Sequence, residues 1–267
     1  MRDKTARMVV VLVIGTLAAC GPGPTLPAAA TATTEPAPAA PTASEPAQPQ
    51  ESIELQSPGP GSTVTSPLQV KGVADPTFEQ HLSLRLYRIT GEIVAEGSAS
   101  IEAAIGERGP FAGQLTFDVE EGGPALLQVY DSSARDGGMI HLSSVPLTLA
   151  PSAPAEVTEA QAEPERIVIE SPGAGETLTG GMVQVSGVGW ASFEGTLVVE
   201  VVDAAGETVG QQPLIVEAPA MGAAGPFSTE VTYQVDQPGP GRVIVYDPSP
   251  AFGGLIHLSS VEVQLQP

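Results

Sequence analysis

From Ile53 onward, apolar and polar residues alternate with a period of two in short runs. Leu82, Leu84 and Leu86 alternate with Ser83 and Arg85. Phe227, Val231, Tyr233 and Val235 are interleaved with Ser228, Glu230, Thr232, Gln234 and Asp236, and Val261, Val263 and Leu265 with Glu262, Gln264 and Gln266. That period belongs to strands with one buried and one wet face. Pro-Gly, Gly-Glu and Gly-Gly turns separate the runs, and no segment has the spacing of an amphipathic helix. About seven short strands in roughly 100 residues predict an all-β, immunoglobulin-like β-sandwich, with a small closed barrel as the alternative.

The pattern occurs twice. Ser57-Pro58-Gly59 returns as Ser171-Pro172-Gly173, Phe78-Glu79 as Phe193-Glu194, Gly91-Glu92 as Gly206-Glu207, and Gly109-Pro110-Phe111 as Gly225-Pro226-Phe227. Between Tyr130–Val145 and Tyr246–Val261, eleven of sixteen positions are identical. A fixed period of this kind marks two copies of one domain. The reading is therefore domain 1 over 52–150, a Pro/Ala/Glu linker over 151–165, and domain 2 over 166–267. Each copy is large enough to hold a core without disulfides.

The N-terminus has a different composition. Arg2, Lys4 and Arg7 precede an apolar run from Met8 to Ala19, which is the layout of an export signal. The run is shorter than the roughly 20 residues needed to span a bilayer. Leu17-Ala18-Ala19-Cys20 resembles a bacterial lipobox, so residues 1–19 read as a lipoprotein signal peptide and Cys20, the only cysteine, as the lipidated residue. Two or three acyl chains there would give a stable anchor, since each buried CH₂ adds about 0.8 kcal/mol. Residues 20–51 carry the prolines of a tether, with Leu26 the only large apolar side chain between Gly21 and Gln50, and have nothing with which to build a core. In polyproline II conformation the tether would reach about 90 Å.

The full chain carries 10 Lys and Arg against 31 Asp and Glu, a formal net charge of −21. Removal of residues 1–19 leaves seven basic against thirty acidic residues. Nucleic acid and anionic headgroups would repel such a chain. The partners expected are the membrane, through the lipid on Cys20, and a protein or cell-envelope polymer.

Both repeats resemble the bacterial spore-germination immunoglobulin-like domain. The resemblance rests on the opening Ser-Pro-x-x-Gly, a strand ending in Gly72 or Gly187, Phe-Glu before the next strand, the Gly-Pro-Phe strand start, and an aromatic strand leading into Ser133-Ala134-Arg135-Asp136-Gly137. The second repeat departs from the last element: Phe252 stands where the first has Asp136. The family implies a sandwich fold and an extracytoplasmic setting, and implies no biochemical activity.

Candidate chemistry is sparse. Asp131, Ser133 and Asp136 form an oxygen-rich loop, partly kept as Asp247 and Ser249, that a hard cation would suit; side chains bonding their own turn backbone account for it equally. Trp190, at the position of Asp75 in the first copy, is a candidate anchor for a sugar or protein. His141 and His257 occupy equivalent places; with apolar neighbours on either side, each is expected to face solvent, one per domain, with no metal site. Glu79 and Glu194 follow phenylalanines that read as buried. The candidate binding residues are thus Trp190, Asp131, Asp136 and Asp247, with no catalytic residue, no metal and no cofactor. The expected function is a non-catalytic cell-surface lipoprotein whose domains serve as a binding or spacing module; the alternatives are a carbohydrate- or peptidoglycan-binding module, and then a hydrolase or metal-dependent enzyme.

Overall fold

The structure is a computed structural model that describes residues 49–151, 153–191, 193–251 and 253–267. The segments read as an export signal and, up to residue 48, as a tether lie outside the described residues, as does Cys20. Among those described there is no α-helix, and the single helical element is a 3-10 turn, Phe78–Gln80.

The first copy contains β1 (Ile53–Ser57), β2 (Thr63–Val64), β3 (Leu68–Ala74), β4 (His81–Arg88), β5 (Ile93–Ile101), β6 (Gly109–Leu115), β7 (Gly123–Ser132) and β8 (Met139–Leu149). The second repeats them as β9 (Ile167–Ser171), β10 (Thr177–Leu178), β11 (Met182–Gly189), β12 (Thr196–Val202), β13 (Thr208–Ile215), β14 (Gly225–Thr232), β15 (Gly239–Pro248) and β16 (Leu255–Leu265). In each copy a three-stranded antiparallel layer (β1-β3-β6; β9-β11-β14) faces a four-stranded one (β5-β4-β7-β8; β13-β12-β15-β16), the arrangement of an immunoglobulin-like sandwich. In the first copy β5 also pairs with β6 through Ala99–Ile101, which joins the two layers along one edge.

The period-two pattern sets the cores. Leu82, Leu84 and Leu86 are buried with Phe111 and Leu127 in one, and Leu197, Val199 and Val201 with Phe227 and Val243 in the other. The glycines two residues before the ends of β3 and β11 are required by close approach. A Cβ at Gly72 would run into the Glu54 carbonyl and the Phe111 ring, and one at Gly187 into the Val168 carbonyl and the Phe227 ring.

The two sandwiches are joined by more than the connecting chain. Strand β8 lies antiparallel to β16, with Leu142 opposite Leu258. The Ser144 hydroxyl donates to the Ile256 carbonyl at 2.6 Å and Ser260 to the Ile140 carbonyl at 2.7 Å, so the contact has an approximate two-fold relation. Tyr130, Leu142, Val202, Ile244 and Leu258 form a third apolar cluster along this seam.

Residues 151–165 have the composition of a linker, yet much of this segment is strapped to the first sandwich. Gly59 N donates to Thr158 O at 2.7 Å, Glu156 and Thr63 exchange backbone bonds at 2.8 and 2.9 Å, and Ala160 N donates to Gln56 O at 2.8 Å. Composition reports that the segment cannot build a core; it is silent about backbone groups pairing with a neighbouring loop.

Candidate functional site

The densest group of ionisable side chains lies where the sandwiches meet. Glu51 and Glu165 each precede the first strand of a copy by two residues, in the repeated Glu-x-Ile of Glu51-Ser52-Ile53 and Glu165-Arg166-Ile167. His141 and His257 are the third residues of β8 and β16. His141 Nε2 is 2.6 Å from Glu51 Oε1, and His257 Nε2 is 2.9 Å from Glu165 Oε1. The pairs also approach crosswise: His141 Nε2 is 3.8 Å from Glu165 Oε2, and His257 Nε2 is 3.9 Å from Glu51 Oε2. The imidazole rings meet edge to face, 5.1 Å between centroids.

Hydrogen bonds orient both carboxylates. Ser143 Oγ donates to Glu51 Oε1 at 2.7 Å and Ser259 Oγ to Glu165 Oε1 at 3.1 Å. The Ile53 and Ile167 amides donate to the same two oxygens, and Ser52 N donates to Glu165 Oε2 at 3.2 Å. Burial alone would push the Glu165 carboxyl up; the hydrogen bond from His257 and the charge on His141 outweigh it and hold the group at about 2. Burial alone would likewise lower His141, but the hydrogen bond to Glu51 reverses the sign and raises it.

This placement corrects the expectation that the histidines face solvent. His257 is 2% exposed, and His141 is largely enclosed. The inner face of β8 is set by its C-terminal half. Val145, Leu147 and Leu149 fill the first core, so His141 and Ser143 share the core side of the strand, whereas Leu142 faces the other sandwich. A strand buried on both faces defeats the rule that the apolar face is the inner one.

The other candidates fall around the same seam. Asp136 carries a side chain 1% exposed and pairs with Arg242 of the second sandwich, also 1% exposed, at 2.9 Å. Burial would push the Asp136 carboxyl up, but bonds from the Gly138 amide and Arg242 hold it at about 2. Ser133 Oγ accepts from the Arg135 and Asp136 amides, and Asp136 Oδ1 from Gly138 N, so the oxygen-rich loop is closed by its own turn bonds. Asp247 is 0% exposed and pairs with Arg166 at 3.3 Å. Its counterpart Asp131 lies opposite His141 in the ladder, and burial pushes it up to about 6. Trp190 is half-buried, with the Arg166 guanidinium 5.8 Å from its ring centroid.

Phe78 and Phe193 correct a further expectation. They are 61% and 50% exposed, each followed by a glutamate in left-handed backbone, Glu79 at φ 55° and Glu194 at φ 50°. The turn directs the ring outward at the same place in both copies.

Residues 52–138 and 166–254 each match the family described as the immunoglobulin-like domain of bacterial spore germination. The chain belongs to that family. No curated protein matches it. Among solved structures it is similar to red sea bream transglutaminase (10% identity, TM-score 0.27, covering 81% of this chain and 31% of that one). It is also similar to dimeric latent PorU from Porphyromonas gingivalis (11%, 0.24, 81% and 24%) and to bovine butyrophilin (12%, 0.24, 80% and 99%). The chain spans less than a third of the transglutaminase and of PorU.

Proposed function

We propose that this family member is a lipid-anchored extracytoplasmic module in which two sandwiches, locked as one body, present a binding surface at a distance from the membrane. The seam through Leu142 and Leu258 is the observation that carries the reading, because a freely jointed pair would need neither its apolar cluster nor its side-chain bonds between the sheets. The repeated outward phenylalanines supply contact residues for a protein or an envelope polymer, since exposed aromatic side chains are frequent binding anchors. Carbohydrate binding through Trp190 is the weaker reading, as that ring is already engaged by Arg166.

Photo-crosslinking residues placed at 78 and 193 of the anchored chain on intact cells test binding, while a Cys20→Ala variant tests the anchor. A specific adduct from either position, with release of Cys20→Ala into the medium, supports the proposal. An absence of adducts, together with failure of the ectodomain to sediment with purified envelope, reduces it to a spacer. Retention of Cys20→Ala at the membrane refutes the lipid anchor.

A further inference from the structure

We propose that Glu51, His141, Glu165 and His257 form a structural site for one divalent transition-metal ion, with Zn(II) the best match, that clamps the two sandwiches together. One ligand atom from each side chain lies within 4.8 Å of all the others. Four ligands bound to zinc at about 2.0–2.1 Å stand about 3.3 Å apart along each tetrahedron edge. Each imidazole Nε2 lies 2.6 or 2.9 Å from Oε1 of its own copy's glutamate and 3.8 or 3.9 Å from Oε2 of the other, so rotation of the two carboxylates would bring one oxygen of each to that spacing from both imidazoles. Both histidines present Nε2, and each carboxylate is turned by a serine hydroxyl and a backbone amide, the outer-shell support that fixes ligands in metal sites.

The donor set selects the class of ion. Two imidazole nitrogens disfavour calcium and magnesium, which take oxygen ligands, while two imidazoles with two carboxylates suit zinc. Neutral imidazoles and two carboxylates carry a net charge of −2, which a divalent ion cancels in a setting where an unpaired carboxylate is costly. Four protein ligands leave no open position, so the site is structural in kind. Each copy contributes one glutamate and one histidine, so the ion would bond both lead-in segments and both seam strands at once. A cleft of about 110 Å³ lined by Glu51 and His257, and another of about 380 Å³ lined by His141 and Glu165, give it paths of entry.

The test uses the full chain, stripped with chelator and titrated with Co(II) as a spectroscopic probe and then with Zn(II). Expected are one Co(II) per chain with the intense visible bands of four-coordination, bleaching by one equivalent of Zn(II), and X-ray absorption of the zinc form with scattering from two imidazoles. Glu51→Gln and His257→Gln abolish the bands, and Ser143→Ala weakens binding about 10- to 100-fold. A folded wild-type chain that gives no band, or the pale spectrum of six-coordination, overturns the proposal and leaves two histidine–glutamate pairs that hold only each other. Because that arm needs no variant, misfolding of a substituted chain cannot obscure the result. Binding that survives His257→Gln overturns it equally.

Discussion

The contacts between the sandwiches are of two kinds, those made twice and those made once. Ser144 and Ser260, His141 and His257, and Glu51 and Glu165 are pairs in which both copies do the same thing. Arg242 with Asp136 occurs once, because the first copy has Leu126 where the second has Arg242, and the second has Phe252 where the first has Asp136. Within the second sandwich a similar divergence places Arg166 beside Asp247, whereas the corresponding Asp131 has Ser52 at that place. Two copies of one sequence meeting about a pseudo-dyad supply the symmetric contacts; divergence at a few positions then fixes which copy lies on which side of each asymmetric one.

The contact made once, Asp136 with Arg242, should give the largest effect. Arg242→Leu installs the first copy's residue and leaves the buried Asp136 carboxylate to the partly exposed Arg135, 3.2 Å away, a loss of about 3 kcal/mol by denaturant unfolding, the low end for a broken buried pair. Adding Asp136→Phe, the second copy's residue, should recover most of that loss, since replacing both members of a buried pair by apolar groups is often nearly neutral. Strictly additive effects in this double-mutant cycle would show that the two side chains do not depend on each other.

The repeated part of the seam comes next. Leu142→Ala removes a fully buried side chain from the interdomain cluster and should cost about 3 kcal/mol. Leu258→Ala should cost a similar amount if the pseudo-dyad is energetic as well as geometric. Unequal losses, compared in the same unfolding experiment, would show that one sandwich carries the interface.

Acid sensitivity separates the two aspartates of the first copy's loop. Asp136 is held at about 2, below its ordinary 3.8, so its stabilisation is fully present above pH 3.8 and is lost as pH falls through 2. Asp131 is raised to about 6, so folding favours its protonated form, and that contribution is lost as pH rises from 3.8 through 6. Asp131→Asn should therefore stabilise the chain at pH 7 by roughly 1–2 kcal/mol, after allowance for solvent screening, and flatten the stability profile between pH 4 and 6. Ser52→Arg, which copies the second repeat, should bring Asp131 back toward 3.8 in a carboxyl NMR titration; an unmoved titration would mean that burial alone sets it.

The strap should show the smallest effect. Ser62 Oγ donates to Gly59 O at 2.8 Å and accepts from Thr158 N at 3.0 Å. Ser62→Ala should cost about 1 kcal/mol globally while raising amide exchange and protease cleavage across residues 154–162. Unchanged exchange there would mean that the remaining backbone bonds hold the segment alone.

Much of this fold was legible in the sequence. Alternation at Leu82–Leu86 and Phe227–Val235, the turn dipeptides and the two-fold repeat led to two sandwiches because burial on one sheet face imposes a period of two. The polar seam was less legible. Glu51 fell in a stretch read as tether and Glu165 in one read as linker, and His141 was placed on the solvent side by its neighbours. The repeated Glu-x-Ile before β1 and β9, and the count back from Val145, Leu147 and Leu149 to His141, were the signals available.

The two copies, their strands and their separate cores are readable from residue order, since they depend on residues near one another along the chain and on one hydrophobic period. That the copies meet edge to edge, that the connecting segment is strapped down, and that Glu51, His141, Glu165 and His257 share one buried place comes from packing in three dimensions. Those side chains are spread from position 51 to position 257 of the chain. Their juxtaposition depends on the packing of one sandwich against the other, which a period-two pattern does not encode.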